Sequence, residues 1–130
     1  MERWTTIQPL LEEFQAMLSP SFPRLEVIHA NDSAWSMEEY KRLRAKGFPS
    51  KCRGVYLIFD ERALLQYVGV ATVNFDKRVW SHDNRLERRW TDIICFDDRH
   101  ICLASALEYF LVMRLSPPFN TTFVGHALAQ

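Results

Sequence analysis

A chain of 130 residues, 48% hydrophobic and 25% charged, has the makings of one globular domain with a single core. No apolar run approaches the ~20 residues that span a bilayer, and the start MERWTTIQPL lacks the basic-then-apolar layout of a secretory signal. The formal net charge of +0 argues against a globally basic nucleic-acid binder.

From Thr5 the apolar residues Ile7, Leu10, Leu11, Phe14, Met17 and Leu18 recur at helical spacing. Pro9 fits the first turn of that helix, and SPSFP at 19–23 ends it. RLEVIHA at 24–30 reads as a short strand. SMEEYKRLRAKG at 36–47 opens on Ser36 and Glu39 as a capping box and closes on Gly47. The exposed side of that helix carries Lys41, Arg42, Arg44 and Lys46.

GVYLIF at 54–59 and LLQYVGV at 64–70 are rich in strand-favouring residues, and the polar DERA between them makes a β-hairpin the simplest reading. VNFDKRVWSHDNRLERRW at 73–90 returns to helical periodicity with Asn74 as N-cap. WTDIICF at 90–96 reads as a further strand, DDRH as a loop, and Ile101–Leu115 as a strongly apolar helix stopped by SPPFN. The expected architecture is α+β, a small three-stranded sheet flanked by helices. Residues 1–50 form an N-terminal helical extension and 51–130 the main domain, in one compact unit.

Charge is unevenly spread. Residues 41–89 hold twelve Lys/Arg against five Asp/Glu, a balance of +7 that the flanks cancel. A positive middle suits a polyanion, and scattered solvated charge explains the same count. Three cysteines, Cys52, Cys95 and Cys102, give no disulfide framework, so a reducing cytoplasm is expected. Cys95, His100 and Cys102 lack the paired spacing of a zinc ribbon; the cysteines are expected in the core and His100 in a loop. No phosphate-binding glycine pattern occurs.

The polar residues on these elements form a series. Arg78 and His82 lie four apart on one helix and share a face. Glu108 interrupts LASALEYFLVM, where an unpaired carboxylate would be costly. Taken singly, tyrosines on strands pack, and an Asn after a helix stop is turn chemistry. Yet Gly54-Val55-Tyr56, Tyr67-Val68-Gly69, Arg78 with His82, Glu108 and Pro118-Phe119-Asn120 occur in one order over residues 53–120, about half the chain. This series resembles the GIY-YIG nuclease family. Val70-Ala71 departs from the polar residue and alanine that often follow the second motif, and the loop to Arg78 differs by about one residue.

The resemblance implies a metal-dependent endonuclease that hydrolyses phosphodiester bonds in DNA, leaving 5′-phosphate and 3′-hydroxyl ends. It makes Tyr56 the candidate general base, aided by Tyr67, with His82 competing for that role. A phenol of pKa about 10 needs an electropositive site to act near neutral pH. Arg78 would clamp phosphate oxygens. Glu108 would hold one Mg²⁺ or Mn²⁺. Gly54, Gly69 and Asn120 would support the site, with Asn120 fastening nearby backbone. Lys41, Arg42, Arg44, Lys46, Lys51, Arg53, Arg85, Arg88 and Arg89 would contact nucleic acid through its phosphates. The alternative is a non-catalytic relative that binds nucleic acid or protein. A homodimer or a protein partner, and no membrane, complete the expectation.

Overall fold

The structure, a computed structural model, describes residues 2–31, 53–71 and 90–120. The helix expected over 36–47 and residues 73–89 of the next one lie outside these. A 3-10 turn at Glu2–Trp4 leads into α1 (Ile7–Ala16), β1 (Glu26–Asn31), β2 (Arg53–Phe59), β3 (Leu65–Ala71) and β4 (Trp90–Phe96). A 3-10 turn at Ile101–Leu103 opens α2 (Ala104–Leu115), and another covers Pro118–Asn120. Among the described residues no helix is long and apolar enough to cross a membrane.

The sheet has four strands in the order β1-β4-β2-β3, every pairing antiparallel. The three strands expected are corrected to four. The additional one, β1, comes from the segment read as a helical extension, and it pairs with β4 from Glu26↔Cys95 to Asn31↔Trp90. RLEVIHA carries the β-branched pair Val27 and Ile28, which suits a strand, but nothing local names its partner.

Side chains alternate along each strand, so the register sorts them by face. Val55, Leu57, Phe59, Val68, Ile94 and Phe96 join the helices in one buried core. Tyr56, Ile58, Tyr67, Gly69 and Ile93 share the opposite face. The central strand β2 is buried from Gly54 to Phe59, which explains its nearly unbroken apolar run.

Ile7, Leu11 and Phe14 of α1 and Ala104, Leu107, Leu111 and Val112 of α2 are the helical share of the core. The Phe14 and Phe110 rings meet at 5.7 Å, and Arg114 bonds Glu13 at 2.7 Å. That hydrogen bond, with the Glu13 charge, raises the Arg114 pKa above its ordinary value. So α1 flanks the Phe110 and Arg114 side of α2 and stands over β1, across a groove lined by Leu11, Ala16, Leu25 and Val27. α2 lies across β3 and β2. It stops where Ser116 turns left-handed (φ 45°) ahead of Pro117.

One polar cluster sits inside this apolar frame. The Asp92 side chain is fully buried and accepts bonds from Arg3 Nε at 2.7 Å, a second Arg3 nitrogen at 2.9 Å, and the Trp4 indole. His29 Nδ1, opposite on β1, lies 3.1 Å from the same carboxylate. The Arg3 guanidinium also covers the Trp90 ring at 5.0 Å. A buried carboxylate is tolerable only with such company. The cluster ties the first turn of the chain to the middle of the sheet.

Candidate active site

Tyr56 and Tyr67 stand on neighbouring strands and the same face, with ring centroids 6.0 Å apart and planes inclined by 36°. Tyr56 is opposite Gly69, and Tyr67 is opposite Ile58. The offset brings the rings together beside the glycine, because a residue two positions along a strand keeps its face. Tyr56 is 0% exposed, whereas Tyr67 is half-buried.

Both motif glycines have a steric reason. A methyl built on Gly69 would overlap the Cζ and phenol oxygen of Tyr56, so this glycine is the seat of that ring. Gly54 has φ +147°, which L side chains rarely adopt, and a methyl there would strike the Ile94 carbonyl and lie 2.8 Å from Phe96 Cδ2. The glycine-tyrosine pattern of the sequence is thus a packing relation across two strands.

Asn120 joins this site from the far end of the chain. Its Oδ1 accepts from the Val68 amide at 2.9 Å and its Nδ2 donates to the Val68 carbonyl at 2.9 Å. Val68 lies between Tyr67 and Gly69 on β3, which among the described residues pairs only with β2. The side chain therefore substitutes for a neighbouring strand at that edge. Its own amide bonds the Pro117 carbonyl at 3.0 Å, which closes the turn.

Glu108 is half-buried, less enclosed than its apolar neighbours suggest. It lies one turn from Ala104 and one from Val112, both fully buried. Phe110 and Arg114 mark the α1 side of α2, so Glu108 sits on the side away from α1, toward the outer edge of β3. The tyrosines occupy the other face of the sheet. The two groups therefore lie on opposite faces of the sheet.

Other expected residues divide clearly. Arg53 is paired with Asp98 at 2.8 Å, so its charge is already matched. Lys41, Arg42, Arg44, Lys46, Lys51, Arg78, His82, Arg85, Arg88 and Arg89 lie outside the described residues. Cys95 is half-buried and Cys102 exposed, which corrects their expected place in the core. His100 is in its expected loop, with Nδ1 2.7 Å from Asp97 Oδ1. Desolvation pushes the Asp97 carboxyl up, but the His100 hydrogen bond and charge, with the amides of His100 and Arg99, hold it below its ordinary value.

Among the described residues no group of three His, Cys, Asp or Glu side chains could enclose a metal. Glu108 is the only acid on α2. Sequence reasoning missed the Asp92 cluster. Its signal was an acid inside WTDIICF, a strand otherwise dominated by apolar residues. Compared with known proteins, the chain matches no family model, no curated protein and no solved structure.

Proposed function

We propose that the chain is a metal-dependent endonuclease that hydrolyses phosphodiester bonds in DNA and leaves 5′-phosphate and 3′-hydroxyl ends. The observation that carries this reading is the phenol pair, 6.0 Å apart beside Gly69, on a strand whose edge Asn120 grips. Sheet packing accounts for the glycine under the phenol; it does not ask for a side chain from another element fastened to the backbone between Tyr67 and Gly69.

Phosphodiester hydrolysis needs a water stripped of a proton, countercharge for the phosphorane-like transition state, and relief for the leaving 3′ oxygen. In this reading the half-buried Tyr67, ionised to its phenolate by the electropositive surroundings, meets the attacking water and takes its proton. Tyr56, fully buried, braces that phenol from behind rather than touching water itself. Arg78 holds the non-bridging oxygens in its planar fork, and His82 is the alternative proton acceptor. Glu108 would hold the cation, which when bound supplies countercharge to the phosphate and the leaving oxygen. The basic residues of the 41–89 segment would bring in the polyanion.

Cleavage of labelled DNA and RNA in Mg²⁺, with an EDTA control and Glu108→Ala beside the parent, tests this reading. Nicking of DNA that EDTA and Glu108→Ala both abolish is expected. An intact panel with the parent protein would sink it. The burial of Tyr56 favours a second reading, a non-catalytic module binding nucleic acid or protein; salt-sensitive binding without cutting would select that one.

A further inference from the structure

The groove between α1 and β1 lies away from the tyrosines, on the helix-covered face of the sheet and at the strand farthest from β3. Its volume is about 460 Å³, within the range of clefts that hold small molecules. Buried Leu11 forms its floor, and half-buried Leu25 and Val27 form the strand wall. Gln15 fixes its width. The side-chain amide donates to the Pro23 carbonyl at 3.3 Å and accepts from the Leu25 amide at 3.2 Å. That clip ties the helix to the entry of β1, so the groove is preformed.

Two opposite charges face each other on its rim. Arg24 Nη2 stands 3.8 Å from Glu12 Oε1, beyond hydrogen-bond distance, and the two side chains are 78% and 59% exposed. Gln8 Nε2 donates to the same Glu12 oxygen at 3.1 Å. Among the described residues neither charge has another ionic partner. A loose, exposed pair of this kind adds little to stability, so a ligand separates it at little cost. A lone carboxylate on Arg24 would meet repulsion from Glu12, and a lone amine on Glu12 would meet it from Arg24. The complementary occupant carries both charges side by side, above an apolar body.

We infer that this groove binds a free α-amino acid with a large apolar side chain. Its carboxylate pairs with the Arg24 guanidinium and its ammonium with the Glu12 carboxylate. Its side chain covers Leu11, Leu25 and Val27. An amino acid holds both charges on one carbon, which suits rim groups 3.8 Å apart. The hydrocarbon contact supplies affinity, and the charges fix orientation. This site is independent of the endonuclease reading, since the tyrosines lie on the other face of the sheet.

The test is an amide NMR titration of the full isotope-labelled chain with L-phenylalanine. The comparison probes are phenethylamine, which lacks the carboxylate, hydrocinnamate, which lacks the amine, and glycine, which lacks the apolar side chain. Saturable shifts at Gln8, Glu12, Leu25 and Val27 are expected with L-phenylalanine, and each comparison probe should bind at least tenfold more weakly, roughly the worth of one charged contact. Arg24→Ala should weaken L-phenylalanine roughly tenfold and phenethylamine not at all. Glu12→Gln should weaken L-phenylalanine and leave hydrocinnamate no weaker. Both residues are exposed, so urea midpoints should stay unchanged beside these losses. Ala16→Trp, at an exposed position on the lip, should fill the groove and weaken L-phenylalanine.

Absence of saturable shifts at the groove overturns the inference. So does any comparison probe that binds as tightly as L-phenylalanine: hydrocinnamate would make this a plain carboxylate site, phenethylamine an amine site, and glycine a charge pair with no use for the groove. Equal losses of L-phenylalanine and phenethylamine in Arg24→Ala also overturn it, because Arg24 would then not be the partner of the carboxylate.

Discussion

The phenol of Tyr56 occupies the space above Gly69 that any other residue would fill with its own side chain. Tyr56 is fully buried and its strand central, so neither ring nor backbone has an easy way to yield. Gly69→Ala should therefore cost about 1–3 kcal/mol, an overpacking penalty, read as a lower urea midpoint. Tyr56→Leu in the same chain should return part of the loss. An unchanged midpoint in Gly69→Ala would mean that the ring does not depend on its seat.

Asn120→Ala removes both bonds to Val68, and the two backbone groups must find water instead. A loss of about 1–3 kcal/mol is expected. The sharper readout is local: hydrogen exchange at the Val68 amide should quicken far more than at the central amides of β2. Uniform change across the sheet would argue that Asn120 acts only on global stability.

The Asp92 cluster predicts non-additivity. Arg3→Ala leaves a buried carboxylate without its cation and should cost about 3–5 kcal/mol by chemical denaturation. Asp92→Asn combined with Arg3→Ala should cost clearly less than the sum of the two single changes, since no bare charge remains. Strict additivity would show that Arg3 and Asp92 are not coupled.

Asp97 gives the pH dependence. Its carboxyl is held below the ordinary value of 3.8, so its contribution to stability is in place above that pH. It is lost as pH falls through the lower folded value. In a carboxyl-carbon NMR titration, His100→Ala should move the Asp97 midpoint upward toward the ordinary value. A midpoint that stays where it was would assign the shift to something other than His100.

Within the endonuclease reading, burial ranks the tyrosines. Tyr67→Phe should lower kcat by about 10²–10⁴-fold, the usual loss of a proton-transfer group, with a normal denaturation midpoint. Tyr56→Phe should lower it less. The reverse order would return the base role to Tyr56.

Much of the fold was legible because periodicity is a local property. WTDIICF became β4 over its full length, the hairpin strands fell within a residue of their expected ends, and SPPFN stopped α2 as its prolines require. What was not legible depended on distant partners. No feature of RLEVIHA says that it will lie on β4 rather than stand alone, and Arg3 looks like any terminal charge until Asp92 is found beneath it. At the site, spacing singled out the glycines and tyrosines. That Tyr56 would be sealed while Tyr67 stays half-open follows only from strand order, as does the pairing of Arg53 with Asp98.

The place of β1 in the sheet has a practical meaning for anyone who trims this chain to its recognisable motifs. A fragment starting near residue 51 would bare one long side of β4, a ladder of unsatisfied amides and carbonyls inviting other chains to pair with it. It would also strand Asp92 without Arg3, Trp4 or His29. Such a fragment would be expected in inclusion bodies, and its silence in an assay would reflect a broken sheet rather than missing chemistry.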